Sequence, residues 1–196
     1  GSKHTRSFYA SVNQLLSPVS MLNLGFGITK RIGELSDPYK LRDVRPGKRV
    51  ERTLTANYRR YFDWQTSSLA VDYRYFWDSY SVGAHTLAMS WMLGDEAGMQ
   101  WGPMLRYYSQ SAAAFYTPWD RYDQLETIAQ SSDFRLSTFG AVSYGLKARY
   151  RIGAVQISMQ YERYDSDSGY ALSSAKTEHP GLVDFEVLSL GAEYRF

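Results

Sequence analysis

The chain has 196 residues, enough for one domain or two small ones, and 16% of them are aromatic, led by 17 tyrosines. The absence of cysteine excludes disulfide frameworks, thiolate metal sites and cysteine catalysis. A net charge of +2 from 22 basic and 20 acidic residues, with no long run of one sign, excludes a nucleic-acid arm or an acidic tail. No apolar run reaches the ~18 residues a membrane-spanning helix needs, whereas alternating strands escape any hydropathy window. Gly1-Ser2, without Met, n-region or h-region, reads as a cloning scar, leaving 3–196 as a single domain.

The predicted elements are strands, because the apolar period is two almost everywhere. In chain order they cover 6–16, 20–31, 50–62, 67–78, 84–93, 99–110, 134–150, 154–165 and 184–196. In the second, Leu22, Leu24, Phe26 and Ile28 share a face; in the third, Leu54, Ala56 and Tyr58. The fourth sets Leu69, Val71, Tyr73, Tyr75 and Trp77 against Asp72, Arg74 and Asp78. Leu87, Met89 and Trp91 mark the fifth, and Trp101, Pro103, Leu105 and Tyr107 the sixth. The seventh places Leu136, Val142, Tyr144, Leu146 and Tyr150 opposite Arg135, Ser143, Lys147 and Arg149. In the eighth Val155, Ile157, Met159 and Tyr161 alternate with polar residues, and in the last Leu188, Leu190, Ala192, Tyr194 and Phe196 do so.

The connections alternate in length. Short turns fall at 17–20, 63–66, 94–98 and 151–153; long connections fall at 32–49, 111–133 and 166–183, with a medium one at 79–83. Short on one side and long on the other is the habit of antiparallel up-and-down transmembrane β-barrels. The rival is a soluble, ligand-binding β-barrel with its apolar face inside. Against it stand a polar face rich in Gly, Ser, Thr, Asn, Gln and mixed charges, and an apolar face that ends in Phe62, Trp77, Trp91, Trp101, Tyr107 and Tyr150 near strand ends. Pro103 fits awkwardly, since mid-strand it forfeits a ladder hydrogen bond.

The terminal Leu190-Gly191-Ala192-Glu193-Tyr194-Arg195-Phe196 resembles the C-terminal signal of bacterial outer-membrane proteins, with Tyr194 and Phe196 as the signal residues. Longer stretches resemble one family, the DUF3570 outer-membrane barrels: Leu35 to Lys40, Asp72 to Asp78, His85 to Leu87, Leu105 to Tyr116, Ser132 to Ser137 and His179 to Phe185. The resemblance implies a bacterial outer-membrane location, with lipid as a partner and the barrel-assembly machinery recognising the terminal aromatic. It supplies no reaction and no cofactor. Family members carry a comparable length upstream with further strands, so it also implies that the nine strands are part of a larger barrel. The first strand would then pair with upstream strands or with a second copy.

Residue by residue, the chemistry is sparse. His4 lies beside the scar, and His179 precedes Pro180-Gly181 in a loop. His85 opens a strand near Asp78 across a hairpin, which suits either a loop-closing hydrogen bond or a rim-located enzyme using His85 with nearby carboxylates. No phosphate loop, His-x-x-x-His pair or nucleophile elbow is present. Asp165-Ser166-Asp167-Ser168-Gly169 lacks the bidentate Glu of a calcium loop, so turn chemistry suffices and no metal is expected. Loop 116–126 reads as a surface loop packed by its own Trp119 and Tyr122, or as a contact for a ligand, lipid or protein. The polar strand face carries Arg59, Arg74, Arg106, Arg135, Lys147, Arg149 and Arg195 against Asp72, Asp78, Glu162 and Glu193. Eight of these (Arg59, Asp72, Arg74, Arg106, Lys147, Arg149, Glu162 and Glu193) are the expected lumen-lining charges. They select anions in an open pore or pair to plug a narrow one. The reading is a non-enzymatic outer-membrane barrel, a scaffold or small-solute pore, with no cofactor and no nucleic-acid partner.

Overall fold

Period-two patterning produces nine strands in the computed structural model, which describes residues 2–40, 42–95, 97–123, 125, 127–173 and 181–195. They are β1 (Lys3–Ser17), β2 (Ser20–Gly33), β3 (Lys48–Phe62), β4 (Ser67–Asp78), β5 (Gly83–Gly94), β6 (Met99–Gln110), β7 (Phe139–Ile152), β8 (Val155–Asp167) and β9 (Phe185–Tyr194). All nine lie in one sheet in chain order, each antiparallel to the next. Among the described residues β1 and β9 do not pair with each other, so the sheet is open rather than closed into a barrel.

One boundary differs from expectation. The seventh strand starts at Phe139, not near 134. Asp133 accepts a hydrogen bond from the Arg135 amide at 3.0 Å and caps a 3-10 turn over Phe134–Leu136. A short polar acceptor ahead of the turn competes with the sheet ladder for the backbone.

The continuous register separates two faces. One lateral row reads Val12, Leu24, Ala56, Tyr73, Leu87, Tyr107, Val142. The adjacent row reads Asn13, Asn23, Asn57, Asp72, Ala88, Arg106, Ser143, Tyr164. The apolar face is the open one: Leu105, Leu146 and Leu190 keep 50%, 54% and 73% of their surface. On the polar face Gly25, Ala84, Ala141 and Ser143 are buried. This is the reverse of a half-solvated sheet in water, which shelters its apolar side.

Pro103 finds its place at a gap in the ladder. Pairing of β5 with β6 runs to Ser90↔Met104 and resumes in the same register at Leu93↔Trp101. The missing amide of Pro103 falls in that gap, while its other neighbour pairs normally as Pro103↔Leu146. Gly102 sits in the same gap, where a Cβ would run into the Trp91 carbonyl of the adjacent strand.

The long connections fold together at one end of the sheet. Tyr80, Val82, Ala113 and Leu136 form a buried cluster, joined by Leu35, Phe76, Phe115 and Tyr116. Backbone bonds stitch loop to loop: Val44 and Gln130 exchange both their amide bonds at 2.8 and 2.9 Å, and Ala114 donates to the Tyr80 carbonyl at 2.8 Å. Phe76 and Gln110 project from the polar face into this cap, and Gln110 Nε2 donates to the Arg135 carbonyl at 3.0 Å. The cap therefore sits on the polar side of the sheet.

Candidate functional site

The register places Arg59, Asp72, Arg74, Arg106, Lys147, Arg149, Glu162 and Glu193 on the polar face together. Their partnerships differ from strand to strand. Arg59 meets Asp72 with Nη1 to Oδ1 at 2.6 Å. Beside that pair, Asn57 donates to Asn23 at 3.2 Å and Asn23 to Asn13 at 2.7 Å, a ladder of amides across three strands. Glu162 accepts from Gln160 Nε2 at 3.2 Å, and Glu193 holds Arg195 at 3.2 Å. Arg74 lies over the Phe76 ring at 5.6 Å.

Arg106, Lys147 and Arg149 make no ion pair with a described carboxylate. Arg106 borders a pocket of about 350 Å³ just beneath the cap, with Tyr108, Gln110, Ser143, Tyr164 and Arg135. Lys147 and Arg149 border a more polar cleft of about 620 Å³ toward the short turns, with Gln156, Ser158, Gln160 and Glu193. The wall is thus part paired and part free. Arg74 and Arg106 are not the partners of Asp72 or Glu162.

The cap carries charges whose role the sequence pattern did not reveal. Asp133, only 4% exposed in its side chain, is held by Arg45 Nη2 at 2.8 Å and Arg135 Nη2 at 2.7 Å. Arg45 also reaches Asp43 at 2.8 Å, and Arg135 reaches Asp37 at 2.9 Å, so the β2–β3 and β6–β7 connections share one network. Burial alone would push the Asp133 carboxyl up. The Arg135 side chain and amide and the Arg45 guanidinium outweigh it, holding the group at about 2. Asp78 forms a second node: it binds Arg49, accepts amide bonds from Tyr80 and Val82 at 2.9 Å each, and fixes the tight β4–β5 turn. Arg135 and Asp78 therefore belong to the cap rather than to the open strand wall. Their clue was local, a carboxylate two residues ahead of an arginine in 133–135 and another opening the 79–83 connection.

His85 is a correction. It points to the apolar face, where Nδ1 lies 2.8 Å from the Tyr73 hydroxyl and the ring stacks on Tyr75 at 4.7 Å. Asp78 is on the opposite face and bound to Arg49, so no His85–Asp78 pair forms. The reason is parity: a residue on the far side of a pleat cannot reach across the sheet. Trp119 and Tyr122 are 70% and 65% exposed, so they do not pack their own loop. Arg42 instead lies over the Tyr122 ring at 5.0 Å. Asp167 caps a 3-10 turn through the Gly169 amide, as turn chemistry requires. Among the described residues no group of three or more His, Cys, Asp or Glu could hold a metal ion. Tyr194 ends β9, exposed on the apolar face opposite Val155. Phe196 and His179 lie outside the described residues.

No curated protein and no solved structure matches the chain. A family model described as a protein of unknown function, DUF3570, matches residues 1–179. The stretches that carried the resemblance largely build the cap and the strand ends beneath it. The chain belongs to the DUF3570 family.

Proposed function

We propose that this sheet is wall of a bacterial outer-membrane β-barrel, a narrow pore for small solutes whose long-connection end is covered by the cap. The observation that carries this reading is the inversion of exposure between the two faces. Leu87, Met89, Leu105, Leu146 and Met159 stand open in a contiguous band, while most polar-face residues of β2–β8 are half-buried or buried. Aromatic clusters border the band as interfacial girdles do: Phe62, Trp64 and Trp91 at the short-turn end, and Tyr73, Tyr75 and His85 at the other. Free cations on the polar face suit a wet lumen, since a buried unpaired charge is costly.

Lipid is the first partner of such a band. The backbone groups along β1 and β9 require strand partners, because each unpaired group in hydrocarbon costs several kcal/mol. Those partners are further strands or a second copy of the chain. The barrel-assembly machinery would engage the terminal aromatic. A closed scaffold is the second reading, favoured by the salt-bridged cap. Reconstitution in a planar bilayer tests both. Steady small conductance supports the pore, and a folded, inserted but silent protein supports the scaffold. A chain that folds and stays monodisperse without detergent defeats the membrane reading itself.

A further inference from the structure

We propose that the apolar face carries a binding site for a phosphate-bearing lipid, formed by Arg6, Lys30 and Arg52 at the long-connection end of β1–β3. The inference rests on the membrane reading and goes beyond it. Register fixes the cluster: Arg6 pairs with Lys30, and Phe8, Ile28, Arg52 and Trp77 form the row below. All three cations therefore share the face of Phe8, Ile28 and Leu54, not the polar wall. His4 and Lys48 flank Ile32 in the next row up. His4, Arg6, Lys30 and Ile32 line an open pocket of about 370 Å³.

No described carboxylate pairs with these cations. Glu51, the acid beside Arg52 in sequence, points to the other face and holds Arg31 at 3.1 Å and Arg49 at 3.4 Å. Glu34 accepts from the Ser36 amide. The opposite flank of the same rim differs: there Arg163 is neutralised by Glu186 at 3.0 Å, with Asp165 in the row above. The basic cluster is thus confined to β1–β3. Long basic side chains above an apolar band extend toward the headgroup layer while their stems stay in contact with acyl chains. Guanidinium forks match phosphate oxygens in a bidentate fashion. Phe8, Phe26 and Ile28 beneath them supply the surface on which acyl chains lie. A free phosphate ion would use only the upper half of this site, so the occupant is a lipid.

The test uses the full chain in detergent micelles, probed with a phosphorylated glycolipid (lipid A) and with its dephosphorylated form. Retained lipid is read by native mass spectrometry. Wild type is expected to retain the phosphorylated form preferentially. R6Q/K30Q/R52Q should lose that preference on the order of a hundredfold, about fivefold for each cation near an anionic surface. R74Q/R106Q, on the polar face, should leave it intact, and R6K/R52K, which keeps the charge but loses the forks, should fall between wild type and R6Q/K30Q/R52Q. Equal retention of both glycolipids by wild type overturns the site without any variant. So does a preference lost in R74Q/R106Q but kept in R6Q/K30Q/R52Q. A chain that folds without detergent and retains neither lipid overturns the membrane reading as well, which separates the two failures.

Discussion

Arg45 donates to Asp133 at 2.8 Å although the two stand 88 positions apart in the chain. The bond ties the β2–β3 connection to the β6–β7 connection, and Arg135 grips the same carboxylate from the other side at 2.7 Å. Asp133→Asn should therefore release the cap while leaving the strands folded. Removing one partner of a buried pair costs about 3–5 kcal/mol. Because the Arg135 side chain is well exposed, about 2–3 kcal/mol is expected here. Limited proteolysis should cut within 111–130 in the variant and spare wild type. An unchanged digestion pattern would show that the network does not hold the cap.

The same carboxylate sets a pH window. Its folded value of about 2 lies below the ordinary 3.8, so it contributes stability above about pH 4 that is lost as pH falls toward about 2. Order-of-magnitude linkage makes that contribution about 2 kcal/mol. Hydrogen exchange of the 111–138 amides should accelerate across this window in wild type. In Asp133→Asn the acceleration should largely disappear.

Leu146 and Gln160 test which face meets lipid. They lie on β7 and β8 at neighbouring rows but on opposite faces. Leu146→Arg should lower folding stability in lipid by about 2–4 kcal/mol, the cost of a guanidinium at mid-depth. Gln160→Arg should be close to neutral. Equal penalties, read from urea unfolding in vesicles, would remove the assignment.

Arg74 and Arg106 test the lumen. Neither pairs with a carboxylate, so Arg74→Glu with Arg106→Glu should invert a mild anion preference without a large loss of stability. Reversal potentials under a salt gradient give the sign. By contrast, Arg59→Gln orphans Asp72 and should cost about 1 kcal/mol, the pair being half-exposed. A double variant that melts far below wild type would mean these cations are structural.

Deleting Phe196 should lower the amount of assembled protein in cells and leave refolding in detergent unchanged. Quantifying folded protein in outer-membrane fractions checks it. Equal levels would remove the terminal aromatic from assembly.

The strands were legible because each repeats one local rule. Val71-Asp72-Tyr73-Arg74-Tyr75 commits its own faces without reference to any other segment, and a two-residue turn such as Pro18-Val19 fixes the next register. The cap was not legible, because Asp37 and Arg45 come beside Asp133 and Arg135 only after two loops, far apart in the chain, return to the same place. Asp133 gave one local hint, its spacing to Arg135, and that hint described the 3-10 turn rather than the ion pair with Arg45. His85 misled for a related reason. Proximity across a hairpin suggested Asp78, but the pleat sends the two side chains to opposite sides.

Because the strand count is odd, the two free edges of the sheet run in the same direction. Joining β1 to β9 directly would create a parallel seam. Two copies inserted with a common orientation would meet β9 to β1 twice, giving two such seams related by an axis along the membrane normal. Two copies joined antiparallel, β1 to β1 and β9 to β9, would need a dyad in the membrane plane, which turns one copy upside down. In the proposed outer-membrane barrel, directional insertion forbids that arrangement. An all-antiparallel ring around this sheet therefore calls for an odd number of additional strands, and hence an even total, as single-chain bacterial barrels have.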